Sequence, residues 1–496
     1  MKISDLSVQQ KKTVLIIIGI GVVLLTALIV AAMLMIGGTD VKPAGGSNTI
    51  LQDSSVPETE DDESVLQLES IYVSDQTVSK ENSTSGNKIP VTVESNSGTS
   101  SNSGTGTETN KEKILVGGYS VKDFGAKGDG KTDDTKAFKS ALAAAKENKA
   151  TIYVPSGTYK LTEGLALGNV TLAGPGVNNF QTEADKMPIL LIAQNSTNAL
   201  TLASGAVSGV QIQYPSNSTS QKSAIYLTGP GNRISNVKIS NAYQGIIFDQ
   251  LSSSSNPGRS NIENVVLEGV RYLGMKVTNT WDVTFVSNVS VTGTDSEYKS
   301  KGIGLWFEKN DDVRVSDCVV TNACYGYQFS ERNKKPTGEE TASTWGTFLR
   351  CKASAVKYGM YFTSYFPDKR MQPVMFNDGN IQATDRAVFI EKSGAVLTMT
   401  NTVLTSSGAS ALKIQGGYNV MFNSCAITAQ KGNGAEISGG MHVLFHSNTI
   451  KASLIGVKVG GYAPSGLVIT DNTISASAKV NDTTTAGTVK SISGNK

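Results

Sequence analysis

The sequence is poor in the residues that most metal and redox sites need. Its 496 residues include only four cysteines and two histidines. Four cysteines in so long a chain exclude a disulfide-rich scaffold, and two histidines disfavour a histidine-rich metal centre. Charged residues make up only 17 % of the chain, whereas glycine occurs 50 times. This composition excludes a helical bundle or a coiled coil.

Charge is distributed unevenly along the chain, although the total is only +2. Residues 1–13 carry a net +2, and residues 14–36 carry no charge. Residues 37–112 carry four lysines against 13 acids, a net −9, so subtraction leaves +9 for residues 113–496. An acidic segment therefore precedes a basic one, and the basic segment favours anionic partners.

The uncharged run Val14–Ile36 has 23 residues. At about 1.5 Å per residue, a helix of that length spans the roughly 30 Å hydrocarbon layer of a membrane. We expect a retained transmembrane signal-anchor, with a cleaved signal peptide as the alternative. Three lysines precede the run, so residues 1–13 are expected in the cytoplasm and everything after Gly37 outside the cell. Residues 37–112, rich in acids and then in Ser, Thr and Gly, predict a disordered linker.

Gly125–Thr132 matches the phosphate-loop pattern G-x-x-x-x-G-K-T letter for letter. Asp133 and Asp134 follow at once and would face the phosphates, and the downstream chain lacks the helices of a nucleotide-binding fold. The sequence therefore disfavours nucleotide binding. Either aspartate is instead a suitable N-cap for a helix whose apolar residues recur at helical spacing.

A longer motif surrounds this loop. Asp123–Gly130, Thr132–Thr135 and Val154–Tyr159 closely resemble the opening of the pectate-lyase-like domain of rhamnogalacturonase A/B and epimerase-like proteins, which are related to glycosyl hydrolase 28. The resemblance implies a right-handed parallel β-helix whose N-terminal end is capped by a helix around Ala137–Lys149. The family includes hydrolases, lyases, epimerases and phage spike proteins, so the resemblance implies a fold but no single reaction.

A repeat supports the same fold independently. The pattern small-apolar-x-apolar occurs eleven times, starting at Ala199, Ala224, Gly245, Gly274, Gly304, Gly326, Gly359, Ala387, Ala411, Gly434 and Gly456. One such strand per coil is typical of a solenoid, with the second and fourth residues facing inward and the third outward. We predict an all-β, single-stranded parallel β-helix over residues 113–496, with these small residues at equivalent places.

A second column of strands is predicted to start at Asp282, Asp312, Asn419 and His442. Inward turns are then expected at Asn288, Cys318, Cys351, Asn401, Cys425, Asn448 and Asn472. Stacked Asn or Cys side chains there can satisfy backbone groups or fill space, so we expect no disulfide. His442 and His446 fall in turn or surface positions of this repeat, which we favour over a metal pair.

The outward positions of the first column include Trp306, Tyr361, Phe389 and Lys413. Large flat rings on successive coils, roughly 4.8 Å apart, suit stacking on sugar rings. The alternative is a patch covered by a loop or another subunit. These four residues are the predicted substrate-binding set.

Two insertions, Ser330–Gly346 and Thr363–Pro373, are expected to leave the same corner of successive coils. Function on a regular fold concentrates in such loops. The predicted catalytic residues are Asp368, Arg370, Glu331 and Glu308, with solvated surface charge as the alternative. Paired carboxylates would serve glycoside hydrolysis. A basic side chain would instead serve uronate elimination, with bound calcium as the one cofactor considered.

The catalytic motifs of the family are missing. The chain has no Gly-His-Gly and no Asn-Thr-Asp, and Phe366–Lys369 is the nearest match to the Asp-Pro-His-Glu of alginate epimerases. Three functions therefore stay open. The first is a membrane-anchored extracellular lyase or hydrolase acting on an acidic polysaccharide or cell-wall glycan. The second is a non-catalytic polysaccharide-binding protein, and the third is a structural spike, for which a homotrimer is expected. No nucleic acid partner is expected.

Overall fold

The computed structural model describes residues 118–496 apart from 178, 249–255, 332–342, 462–463 and 485–489. The described residues form a parallel β-helix, in which each strand pairs with the equivalent strand of the next coil. None of the helices in this part of the chain could span a lipid bilayer. The transmembrane and linker predictions concern residues 14–36 and 37–112, which lie outside the described part of the chain.

Each coil has three faces, which the chain visits in the order I, II, III. Face I has 13 strands, so the solenoid has about 13 turns: Leu165–Gly168, Leu200–Leu202, Ser223–Leu227, Gln244–Phe248, Leu273–Thr280, Ile303–Ser316, Tyr325–Ser330, Lys352–Phe362, Asn380–Ile390, Leu412–Ile414, Ala435–Ile437, Ile455–Val459 and Ala478–Asp482. The repeat predicted eleven of these coils. The strand Ile303–Ser316 continues onto face II, whereas Lys352–Phe362 and Asn380–Ile390 begin on face III.

The other strands of face II are Gly118–Ser120, Thr151–Tyr153, Thr171–Ala173, Ala206–Gln213, Arg233–Ser240, Asn261–Glu268, Thr284–Thr292, Thr344–Leu349, Pro373–Asn377, Val396–Thr400, Asn419–Asn423, Val443–His446, Leu467–Thr470 and Lys490–Ser493. The four between residues 206 and 292 bend onto face III. Face III also contains Asp129–Asp133, Thr158–Leu161, Ile189–Ile192, Val319–Thr321, Val403–Ser406, Ala426–Ala429, Thr449–Ala452 and Thr473–Ser475.

The helix Thr135–Asn148 packs against the first coils, as the family resemblance implies. Its buried Phe138 ring meets Tyr159 edge-on at 5.4 Å. Asp134 is the N-cap residue, but its carboxylate accepts hydrogen bonds from the backbone N–H groups of Lys127 (2.6 Å) and Gly128 (3.0 Å). The donors that would cradle a phosphate therefore bind a carboxylate of the chain itself. Shorter helices are Val121–Phe124, Phe180–Glu183, Ala184–Lys186 and Ser296–Lys301.

Inward side chains of face I form a continuous core, as predicted. Phe307, Phe329 and Phe362 are buried, and their rings stack between neighbouring coils at 5.6 and 4.6 Å. Gly326 lies between equivalent glycines of the adjacent coils, which confirms that prediction. A Cβ atom on Gly326 would lie only 2.5 Å from the carbonyl oxygen of Gly359. Close stacking of coils therefore requires glycine here.

The corner between faces II and III has the same backbone geometry in every coil from residue 209 to residue 494. A residue with positive φ stands there in each of them: Gly209, Asn236, Asn264, Asn288, Asp317, Arg350, Asp378, Asn401, Ser424, Ser447, Asp471 and Gly494. The residue after it points inward, which confirms the predicted places of Cys318, Cys351, Cys425, Asn448 and Asn472. The prediction was wrong for Asn288 and Asn401, which occupy the left-handed position itself. Asparagine tolerates that conformation better than most residues.

The predicted register of the second column was correct in part. Asn419 and His442 are equivalent, and His446 lies opposite Asn423. Asp282 is one residue out of register with Asp312, because Thr284 pairs with Val313. A shift of one residue exchanges the two sides of a strand, so Phe285 faces outward. All four cysteines are free and buried.

Candidate functional site

The outward column of face I has the predicted order. Trp306 pairs with Gln328, Gln328 with Tyr361, Tyr361 with Phe389, and Phe389 with Lys413. Trp306 and Tyr361 are thus two coils apart, roughly 10 Å. The Tyr361 and Phe389 rings lie 5.5 Å apart between centroids.

Sequence reasoning missed a second aromatic column on this face. Tyr325 and Tyr358 lie outward on the same side of the sheet, and their rings stack at 5.5 Å. Tyr325 also lies 4.8 Å from Tyr361, and Tyr358 lies 5.6 Å from Phe389. With Trp306, these four residues form a half-buried surface, which we call the face I aromatic surface. The residue directly before each repeat glycine also faces outward, and the tyrosines before Gly326 and Gly359 would have indicated this second column.

A buried ion pair lies beside Trp306. The indole Nε1 donates to the Ser330 hydroxyl at 2.9 Å, and the Lys276 ammonium lies 3.7 Å from the ring centroid. Lys276 also pairs with Glu308, and each of the two side chains is only 6 % exposed. The structure therefore places Glu308, a predicted catalytic residue, in a buried pair beside the tryptophan.

Glu331 is also buried, with 1 % exposure. Its carboxylate accepts hydrogen bonds from the Ser364 hydroxyl and from the backbone N–H of Tyr365, the latter at 3.1 Å. Glu331 thereby ties the second insertion to the end of the strand Tyr325–Ser330. Because both carboxylate oxygens accept hydrogen bonds from the second insertion, Glu331 holds that insertion in place.

Asp368 and Arg370 lie in an exposed turn of the second insertion. The turn reaches along the solenoid, since the Asp368 carbonyl accepts from the Tyr418 hydroxyl at 2.8 Å. Both insertions connect face I to face II on successive coils, which confirms the predicted common corner. Residues 332–342 of the first insertion lie outside the described part. The predicted catalytic set thus divides into two buried carboxylates and two exposed side chains.

Glu391 is a polar neighbour that sequence reasoning missed. Its carboxylate accepts from the Tyr361 hydroxyl at 2.5 Å and from the Thr363 hydroxyl at 3.2 Å. Burial raises the pKa of Tyr361, and the hydrogen bond to Glu391 raises it further. Burial likewise raises the pKa of Tyr325 to about 12. Both phenols therefore stay protonated at neutral pH.

Cations border the aromatic surface at its C-terminal end. The Lys413 ammonium lies 5.6 Å and the Arg386 guanidinium 5.7 Å from the centre of the Phe389 ring. Arg386 also pairs with Asp385 at 2.6 Å. In the part of the chain that the structure describes, no three His, Cys, Asp or Glu side chains converge to hold a metal ion.

Comparison with known families gives two matches that together span most of the solenoid. Residues 118–353 match the family described as rhamnogalacturonase A/epimerase, pectate lyase-like. Residues 380–495 match the right handed beta helix region.

Two relatives match this chain over short segments. Alginate lyase 7 of Azotobacter vinelandii is 47 % identical over 68 residues, which cover 12 % of this chain and 8 % of that protein. The pre-neck appendage protein of Bacillus phage phi29 is 40 % identical over 85 residues, which cover 16 % and 10 %. The matched segments thus span a tenth or less of these relatives.

Two solved structures share the fold over most of the described chain. The A-module of mannuronan C-5 epimerase AlgE6 from Azotobacter vinelandii has a TM-score of 0.52 at 15 % identity, covering 76 % of this chain and 98 % of that one. The tailspike protein of E. coli bacteriophage HK620 has a TM-score of 0.53 at 9 % identity, covering 76 % and 77 %. At these identities the likeness establishes the fold alone.

Proposed function

The chain belongs to the pectate lyase-like family of rhamnogalacturonase A and epimerases, and on that premise we propose that it binds an acidic polysaccharide along face I. One observation carries the proposal: the face I aromatic surface runs across four neighbouring coils and ends beside two cations. Flat rings suit the apolar faces of pyranoses, and cations suit their carboxylates.

The energetics support an extended ligand. By analogy with bases stacked on aromatic side chains, each ring contributes about 1–3 kcal/mol. The net charge of +9 over residues 113–496 would concentrate an anionic polymer near the surface. The names alginate lyase and mannuronan epimerase, carried by two relatives, point to the same ligand class.

Binding is better supported than catalysis by the described residues. Glu308 is engaged by Lys276, and Glu331 anchors the second insertion. Neither carboxylate faces open solvent. A lyase is the second candidate, because Asp368 and Arg370 stand exposed on the turn that follows the face I strand ending at Phe362.

Removing two rings tests the binding proposal. Trp306→Ala combined with Tyr361→Ala should weaken retention on a polyuronate affinity gel more than tenfold, since about 1.4 kcal/mol corresponds to one decade. Tyr153→Ala removes an exposed tyrosine from the N-terminal coils and is the matched control. Unchanged retention of a folded double variant would exclude the face I aromatic surface as the binding site.

Product assays test the lyase candidate separately. The chain is incubated with polyuronates, with and without calcium, and ultraviolet absorbance reports unsaturated products while reducing ends report hydrolysis. If Arg370 takes part in elimination, Arg370→Ala should abolish product and leave retention on the gel intact. Absence of both product signals in the unmodified chain would eliminate the catalytic candidate.

We further propose that the chain is anchored in the cell membrane by residues 14–36, with the β-helix outside. The uncharged run and the three lysines before it support this orientation. Protease added to intact cells should then release the β-helix by cutting between residues 40 and 112. A fully protected β-helix would contradict the orientation.

A further inference from the structure

A second outward groove lies on face II and is separate from the face I aromatic surface. It encloses about 1020 Å³. Its floor is one column of side chains on six successive coils, each paired in register with the next: Arg233, Asn261, Phe285, Arg314, Thr347 and Met375. The groove therefore runs along the solenoid axis and crosses the strands.

Large apolar side chains are exposed along this groove. Phe285 is 43 %, Trp345 42 % and Met375 38 % exposed. Trp345 lies two residues before Thr347, so it stands two coils away from Phe285. Exposed apolar groups gathered in one groove mark a contact surface.

The same groove is positively charged. Arg233 is exposed, and its side chain makes no hydrogen bond or ion pair with any residue that the structure describes. Arg314 pairs with Asp312 at 2.8 Å while its guanidinium lies 5.8 Å from the centre of the Phe285 ring. Arg259, the third arginine of the lining, pairs with Asp282 at 3.1 Å. Counting Asp282 and Asp312 against the three arginines leaves the groove a net +1.

We propose that this face II groove is a second binding site for a carboxylate-bearing polysaccharide. Guanidinium groups match carboxylates in bidentate geometry, and Phe285 and Trp345 supply the rings on which sugars stack. Arg233 and Arg314 are three coils apart, about 14 Å along the axis, so their charges are widely spaced. Duplex DNA carries one charge per roughly 1.7 Å, a density that a net +1 does not match. A polymer with at most one charge per sugar fits better.

The ligand class is shared with the proposed function, but the evidence rests on different side chains. The test therefore compares variants of the two faces in the full chain by affinity electrophoresis through gels containing alginate or polygalacturonate. Phe285→Ala with Trp345→Ala should lower retention at least tenfold, and so should Arg233→Ala with Arg314→Ala. Lys352→Ala removes one positive charge from face III and should leave retention unchanged.

The outcomes separate the two sites. Retention lost only in the face I variant overturns this inference, whereas retention lost only in the face II variants overturns the face I proposal. Equal retention in a dextran gel would overturn the requirement for carboxylates. If a gel containing a single-stranded oligonucleotide retained the chain more strongly than the polyuronate gels, and the same face II variants lost that retention, the groove would be assigned to nucleic acid instead. Arg233→Ala alone keeps the test valid if a double variant fails to fold, and should still lower retention measurably on both polyuronates.

Discussion

Asn448 provides the sharpest test of what holds the coils together. Its amide is buried in the turn between faces II and III. The side-chain oxygen accepts from the Cys425 backbone N–H at 2.8 Å, and the side-chain nitrogen donates to the Phe422 carbonyl at 2.9 Å. Asn448→Ala leaves both backbone groups without this partner. Since a buried unsatisfied group costs about 1–3 kcal/mol, the free energy of unfolding should fall by about 2–6 kcal/mol.

The measurement is a urea denaturation curve combined with amide hydrogen exchange at Cys425. Asn423→Ala is the control, because Asn423 lies on the preceding coil, two residues before Cys425, and faces outward. Asn448→Thr should recover part of the loss, since Thr402 already occupies the equivalent place and its hydroxyl donates to the Thr400 carbonyl at 2.9 Å. If Asn448→Ala and Asn423→Ala unfold at the same urea concentration, the asparagine stack is not what stabilises this corner.

Two further outcomes are expected. Lys276→Met removes the ammonium from beside the Glu308 carboxylate and should lower the free energy of unfolding by about 3–5 kcal/mol. Adding Glu308→Gln should restore much of that loss, because no unpaired charge then stays buried. A double variant no more stable than Lys276→Met in a urea titration would contradict this. Backbone N–H groups of Thr132 and Lys131 lower the pKa of Asp129 from 3.8 to about 2, so its stabilising contribution is present above pH 4 and is lost as the pH falls towards 2. Asp129→Asn should make the urea midpoint less sensitive to pH between 6 and 3, and an unchanged pH sensitivity would refute the assignment.

Hydrophobic pattern was sufficient to predict the solenoid and the face I column. The inward positions of each repeat have to be apolar because they are buried, so every central coil shows the small-apolar-x-apolar pattern. The terminal strand Ala478–Asp482 escaped because most of its side chains are exposed and no apolar pattern is required of them. The first strand of face I, Leu165–Gly168, could have been predicted as well, because Gly164-Leu165-Ala166-Leu167 fits the pattern and Leu165 and Leu167 are buried.

Register was harder to predict where two alternations compete. Val283 and Phe285 suggested one inward series, but Val286 and Val289 form the real one. The pairs Asn264-Val265 and Asn288-Val289 carried the missing signal, since each marks a left-handed residue followed by an inward one. With this register Phe285 faces outward and lies in the face II groove.

Loop contacts left no comparable pattern. Glu331 and Asp368 both lie in insertions, yet one is buried and the other exposed. The difference depends on which backbone groups of the second insertion fold over Glu331. Such contacts follow from loop conformation, which neither periodicity nor composition constrains.

The constant corner between faces II and III has a consequence for how this chain can vary. The left-handed residue gives the chain the same backbone direction at this corner in every coil. The next strand of face III therefore starts in register even when a segment at another corner is longer or shorter. The helix Ser296–Lys301 and the turn around Asp368 show two such additions at the other corners, with the stack continuing beyond them. Segments at those corners can therefore be lengthened, shortened or grafted from another coil without re-registering the rest. In this architecture the loops beside the ligand-binding faces can change in sequence and length while the coils keep their stacking.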